Sequence, residues 1–68
     1  MPRKINDEIF EFDATYLRTQ LARYRIKIKE LASEVHISSA YMGMICHGLR
    51  PSKDLYNRIL MVLDNLIR

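Results

Sequence analysis

The chain has 68 residues, enough for one domain that buries only about 60% of the surface exposed by its unfolded form. Hydrophobic residues make up 49% and charged residues 28% of the sequence, values that exclude a disordered tail and predict a globular protein of modest stability as a monomer. The net charge of +3 and the pI near 9.3 favour a polyanionic partner.

The single cysteine, Cys46, excludes an internal disulfide and is typical of a reducing compartment. The longest apolar run, residues 59–63, is too short to cross a bilayer, and no apolar segment follows the basic residues near the start of the chain. We therefore expect a cytoplasmic protein without a membrane anchor.

Positive charge is concentrated in the middle of the chain. Residues 1–13 carry two cations against four carboxylates, residues 14–53 carry seven cations against two carboxylates, and residues 54–68 are neutral. The central excess predicts a surface that binds a polyanion. The alternative is that these cations only solvate the surfaces of helices.

Residues 1–12 contain no helical stripe of apolar residues and predict an N-terminal arm. Ile9, Phe10 and Phe12 are too apolar for a wholly free tail. We expect part of the arm to pack on the domain or on a partner.

A first helix is predicted over residues 14–25, because Asp13 is a good N-cap and the apolar positions that follow it are helical in spacing. Leu17, Leu21 and Tyr24 lie at i, i+4 and i+7. They should form the buried stripe of this helix.

A second helix is predicted from Ile28, because Leu31, Ala32 and Val35 continue at i+3, i+4 and i+7. The sharp turn after it needs one residue with a positive φ. His36 occupies that position, and histidine tolerates such a backbone better than most side chains do.

A third helix is predicted over residues 39–47, with Ser38 or Ser39 as its N-cap and Gly48 as the left-handed residue that ends it. The expected inner face contains Met42, Ile45 and Leu49. The residues of the outer face are small or only weakly polar, so that face can enter a groove: they are Ser39, Ala40, Gly43, Met44 and His47.

The last helix is predicted to begin after Pro51, with Ser52 as its N-cap and Asp54 in its first turn. Two apolar stripes run along it. One is expected to close the core and contains Leu55, Ile59, Val62 and Leu66. The other is expected to form a homodimer interface, because an exposed apolar patch of this kind usually marks one, and contains Tyr56, Leu60, Leu63 and Ile67.

The order of these residues resembles the helix-turn-helix DNA-binding domains of the phage Cro and lambda-repressor type, with their bacterial relatives of the xenobiotic-response-element group. The resemblance covers roughly residues 17–63. His36 replaces the turn glycine that is usual in the family. The residues that carry the resemblance are Leu31, Ala32, Ile37, Ser38, Tyr41, Met42, Ile45, Gly48, Arg50, Pro51 and Ser52.

The resemblance implies a compact all-α fold of four helices, or five, with an arm over residues 1–12 and a helix-turn-helix domain over residues 13–68. It implies a sequence-specific regulator of transcription, most simply a repressor of phage, mobile-element or bacterial origin, acting in a bacterial cytoplasm. The expected partners are a two-fold symmetric operator in double-stranded DNA, a second copy of the chain, and a protein that releases it from DNA. The alternative is a helix-turn-helix module that binds a protein, such as an antitoxin.

The major groove admits one α-helix, and its base edges differ in donors, acceptors and the thymine methyl group. Base contacts are therefore predicted for the outer face of the third helix, Ser39, Ala40, Gly43, Met44 and His47. Phosphate contacts are predicted for Lys27, Lys29, Ser38, Tyr41, Arg50 and Lys53. A partly buried packing role is the alternative for Tyr41. Two interpretations remain for Arg3 and Lys4, at the tip of the arm: contact with DNA, or a tip that is disordered in the absence of DNA.

Catalysis and metal binding are not predicted. Cys46 and His47 are adjacent on a helix, where neighbouring side chains diverge by about 100°. With His36 they make no zinc-ligand pattern. The two glycines, Gly43 and Gly48, cannot form a phosphate-binding loop. We expect neither an enzyme nor a cofactor.

Overall fold

A computed structural model describes residues 10–68, and the predicted contacts of Arg3, Lys4 and Ile9 lie outside the described residues. Within residues 10–68 the chain forms four α-helices and no strand, which confirms the all-α prediction. The helices are α1 (Ala14–Arg23), α2 (Ile28–Val35), α3 (Ser39–Cys46) and α4 (Lys53–Ile67). In the same residues no helix is both long and apolar enough to cross a membrane.

Side-chain oxygens cap three of the four helices. Asp13 accepts a hydrogen bond from the Tyr16 N–H at 3.0 Å, which confirms the predicted start of α1. Ser38, rather than Ser39, caps α3, and Ser52 caps α4. Each cap satisfies a backbone N–H that has no partner inside its helix.

The first helix ends two residues before the predicted position. It stops at Arg23 because Arg25 adopts a left-handed conformation with a φ of 57°. The Ile26 N–H then donates to the Leu21 carbonyl at 2.8 Å, which closes the end of the helix.

One buried cluster joins the four helices. Its side chains are 0–6% exposed, and burying an aliphatic side chain of this size stabilises a fold by about 1.5–3 kcal/mol. The cluster consists of Leu17, Leu21, Leu31, Ala32, Val35, Met42, Ile45, Cys46, Tyr56, Ile59 and Leu63. The predicted inner faces of α1, α2 and α3 are confirmed, except at three positions: Ile28 is half-buried, Tyr24 is 44% exposed and Leu49 is 45% exposed.

The division of α4 into a core stripe and a separate interface stripe is wrong. Tyr56 and Leu63, assigned to the interface, are 6% and 1% exposed in the chain itself. With Ile59 they lie at i, i+3 and i+7, which places them on one stripe of the helix. The remaining apolar residues of α4 are half-buried on either side of it, apart from the exposed Met61: Leu55, Leu60, Val62, Leu66 and Ile67.

The end of the arm packs on the chain around Tyr56. The rings of Phe10 and Phe12 lie 5.7 Å and 5.1 Å from the Tyr56 ring, centroid to centroid. The Asp13 N–H also donates to the Tyr56 hydroxyl at 3.3 Å. The predicted packing of Phe10 and Phe12 is therefore confirmed.

Candidate nucleic-acid interface

Three residues, 36–38, connect α2 to α3. His36 has a φ of 70° and a ψ of 42°, the left-handed conformation predicted from the sequence. Its N–H donates to the Ser33 carbonyl, and the Ile37 N–H donates to the Ala32 carbonyl at 3.0 Å. These bonds close α2 and turn the chain sharply into α3.

The outer face of α3 is open to solvent, as the sequence predicts. Ser39, Ala40, Met44 and His47 are exposed, Met44 to 54%, and Gly43 is half-buried among them. A Cβ built on Gly43 would have no atom within 4 Å outside its own helix, so the packing of the chain does not require glycine there. The face is therefore shallow along its middle and apolar around Met44.

His47 is held against its own helix. Its Nδ1 lies 2.9 Å from the Gly43 carbonyl oxygen, one turn earlier. Since a carbonyl oxygen can only accept, Nδ1 must carry the hydrogen of this bond. The orientation of the ring is thus set within α3.

The start of α2 is positively charged and has no side-chain cap. Lys27 is the N-cap residue, and its side chain makes no capping hydrogen bond. Lys27 and Lys29 are both exposed, whereas Glu30 in the same turn offsets part of their charge. Free backbone N–H groups together with two ammonium groups suit a phosphate.

Arg50 is fixed by the arm. Its guanidinium lies 4.3 Å from the centroid of the Phe10 ring, and it donates a hydrogen bond to the Phe10 carbonyl. Both residues line an open recess of about 620 Å³ at the start of α4, which Lys53 also lines. Two of the predicted phosphate contacts therefore lie beside one recess.

Ser38 and Tyr41 have structural roles at the start of α3. The Ser38 hydroxyl oxygen accepts from the Tyr41 N–H at 3.1 Å, which leaves the hydroxyl hydrogen available to another acceptor. Tyr41 is half-buried and packs on the core. The packing role that the sequence allows for Tyr41 is thus present.

Arg18 anchors the end of α3 from α1. Its Nη1 donates to the Cys46 carbonyl at 2.8 Å, and its Nη2 donates to the Thr15 hydroxyl. Burial raises the pKa of the Cys46 thiol, and the charge of Arg18 acts in the opposite direction. One of the central cations counted from the sequence therefore holds the helix in place.

Leu49 is a surface residue that the helical spacing misassigned. Its N–H donates to the Met44 carbonyl at 2.9 Å, and Gly48 before it has a φ of 122°. Because α3 ends at Cys46, the i+7 position after Met42 is no longer on the helix. The predicted stop at Gly48 was the signal that could have placed Leu49 outside the core.

The predicted interface residues do not lie together on the surface. Leu60 and Ile67 are half-buried, and they line a recess of about 480 Å³ with Tyr16 of α1 and with Tyr24, the residue that follows α1. Tyr56 and Leu63 contribute only the floor of this recess, since both are buried. Residues available to a second copy are thus fewer than the sequence suggests.

Among residues 10–68, no group of three or more histidine, cysteine, aspartate or glutamate side chains is arranged to hold a metal ion. No protein-family model, curated protein or solved structure matches the chain.

Proposed function

We propose that the protein is a sequence-specific regulator of transcription, most simply a repressor, that places α3 in the major groove of double-stranded DNA. The observation that carries this proposal is the outer face of α3, which is exposed and consists mostly of small side chains. Exposed cations precede α3 in the chain at Lys27 and Lys29 and follow it at Arg50 and Lys53. A groove about 12 Å wide accepts such a helix without rearrangement.

The outer face of α3 would recognise DNA bases mostly through apolar contacts. Met44 and Ala40 lie one turn apart and suit the thymine methyl group, while Ser39 at the start of α3 can donate or accept a hydrogen bond. The eight residues of α3 include no arginine, asparagine or glutamine for a bidentate base contact. We expect discrimination near the lower end of the usual ~1–3 kcal/mol per base, with DNA shape contributing the rest.

Affinity would come from the phosphate backbone. The uncapped start of α2 with Lys27 and Lys29, and the recess with Arg50 and Lys53, provide two anchoring points along the chain on either side of α3. If each subunit of a dimer neutralises about four phosphates, the log–log salt slope should be roughly −7. Half-sites would then be separated by about 34 Å on one face of the duplex.

Selection of bound sites from random double-stranded DNA tests the proposal. The unaltered protein should enrich a two-fold symmetric motif, and Met44→Ala should change the bases selected within each half-site. Met61→Ala is the matched control, because Met61 is a 68% exposed methionine on α4. Enrichment of no motif, or the same motif from both variants, would contradict the proposal.

The second candidate is a module that binds a protein, such as an antitoxin. It is favoured by Met44 and Leu49, two large apolar side chains that are 54% and 45% exposed near the same end of α3. The double substitution Lys27→Glu and Lys29→Glu separates the two functions. A DNA-binding protein should lose affinity while remaining folded, whereas a protein-binding module should keep its partner. The double substitution Arg58→Glu and Arg68→Glu, at two exposed residues, makes the same change in net charge and serves as the control.

A further inference from the structure

The hydrogen bond between His47 and Gly43 determines which nitrogen of the imidazole can accept. A neutral imidazole has one N–H donor and one acceptor nitrogen. Because Nδ1 lies 2.9 Å from the Gly43 carbonyl oxygen, the hydrogen is on Nδ1. The acceptor is therefore Nε2, on the other edge of a ring that belongs to an exposed residue.

As a hydrogen-bond acceptor, Nε2 of His47 can pair only with the donor groups of DNA. Phosphate oxygens, guanine N7 and O6, and thymine O4 are themselves acceptors, so they cannot pair with Nε2. The donors on the major-groove edges are the amino groups of adenine N6 and cytosine N4. Neutral His47 is thus suited to a base with an exocyclic amino group and unsuited to a phosphate.

Gly43 leaves room for that base to approach. No side chain projects from this position, and a Cβ placed there would meet nothing within 4 Å outside the helix. The same residue supplies the carbonyl that orients the ring. Gly43 therefore both leaves space for the base and orients the His47 ring.

We propose that His47 is a specificity-determining residue that accepts, through Nε2, a hydrogen bond from the amino group of an adenine or a cytosine in each half-site. This inference rests on the proposed function and narrows it to one base position of defined chemistry. A histidine can contact a base or a phosphate, and the tautomer of His47 favours the base.

The test uses the selected operator with single base analogues. Each adenine is replaced in turn by 2-aminopurine, and each cytosine by pyrimidin-2-one, which removes the amino group from the major groove. At one position per half-site the unaltered protein should lose roughly 2- to 13-fold in affinity, the amount expected for one neutral hydrogen bond. The same analogue should cause no further loss in His47→Ala, because the acceptor is already gone.

Two variants control for indirect effects. Met44→Ala should keep its sensitivity to the analogue, because Met44 offers no acceptor of this kind, and Asn65→Ala should behave as the unaltered protein, because Asn65 is an exposed residue of α4. The analogue measurement on the unaltered protein also remains valid if His47→Ala folds poorly.

The outcomes separate the two proposals. Sequence preference without any position that is sensitive to loss of an amino group would overturn the inference and leave the proposed function standing. An analogue effect that persists in full in His47→Ala would also overturn it, since another residue would then read the base. Absence of sequence preference in the unaltered protein would overturn the proposed function and this inference together.

Discussion

The guanidinium of Arg18 donates a hydrogen bond to the carbonyl oxygen of Cys46 at 2.8 Å and so ties α1 to the last residue of α3. The carbonyls of the last helical turn have no partner within the helix, and Arg18 satisfies one of them. We expect Arg18→Ala to lower the free energy of unfolding by about 1–2 kcal/mol, because the bond involves a charged donor. Urea denaturation measures this change.

Arg58→Ala is the control for Arg18, since Arg58 is exposed on α4 and carries the same charge. It should alter stability by less than about 0.5 kcal/mol. Equal effects of the two substitutions would show that the contact with Cys46 contributes nothing beyond charge.

Phe10 and Arg50 should act as one unit in DNA binding. The Phe10 ring and carbonyl hold the Arg50 guanidinium, so Phe10→Ala should weaken binding although phenylalanine has no charge. The double variant should bind no more weakly than Arg50→Ala alone, which is the signature of coupled residues. Titration of operator DNA well below the melting temperature measures all three variants.

Phe12→Ala is the control for this cycle. Phe12 also packs on Tyr56, whereas the ring and the carbonyl that hold Arg50 belong to Phe10. If it weakened DNA binding as much as Phe10→Ala does, then packing of the arm, and not the placement of Arg50, would explain the effect.

Gly43→Ala should stabilise the fold and weaken DNA binding. Glycine within a helix costs up to about 1 kcal/mol relative to alanine, and nothing near Gly43 opposes a methyl group. The added methyl group would project from the outer face of α3, which is proposed to enter the major groove. Thermal denaturation and operator titration should therefore move in opposite directions. Asn65→Ala, on α4, should raise stability without changing affinity, and a Gly43→Ala variant that binds normally would argue against close approach.

His36→Gly and His36→Val should shift stability in opposite directions. The left-handed conformation of His36 strains a residue with a Cβ by about 1–2 kcal/mol, and a β-branched side chain tolerates it least. Glycine should gain somewhat less than the relieved strain, because it also adds freedom to the unfolded chain. Equal unfolding midpoints in urea for the two variants would be incompatible with the observed turn.

Stability should decline in alkali because of Cys46. Burial raises the pKa of this thiol in the folded chain, so the unfolded chain releases its proton at lower pH. The stabilisation is complete below the ordinary thiol pKa of about 8.5 and is lost as the pH rises through the folded value. Denaturation of the unaltered protein and of Cys46→Ala between neutral pH and mild alkali should show a steeper decline for the former.

Local sequence patterns predicted the features that depend on neighbouring residues. Asp13 and Ser52 as caps, and the left-handed His36, follow from preferences that operate within one turn of chain. The buried faces of α2 and α3 follow from helical spacing for the same reason. The prediction that Leu49 is buried is wrong because the helical spacing was extended past Gly48, beyond the end of α3.

Contacts between residues that are far apart in the sequence could not be predicted from these local patterns. The bond from Arg18 to Cys46 spans 28 positions, and that from Arg50 to Phe10 spans 40. No periodicity encodes either one. The assignment of the two α4 stripes is wrong for a similar reason. The sequence shows that the helix is apolar over a wide band, but it does not show that Phe10 and Phe12 pack on Tyr56.

The missing side-chain cap at the start of α2 has a dynamic consequence. Amide groups of a first turn that no side chain holds should exchange their hydrogens with solvent sooner than those behind Asp13, Ser38 or Ser52. An anion bound between Lys27 and Lys29 would slow that exchange, so the turn that opens most readily in the free protein would also be the one that ligand binding tightens most.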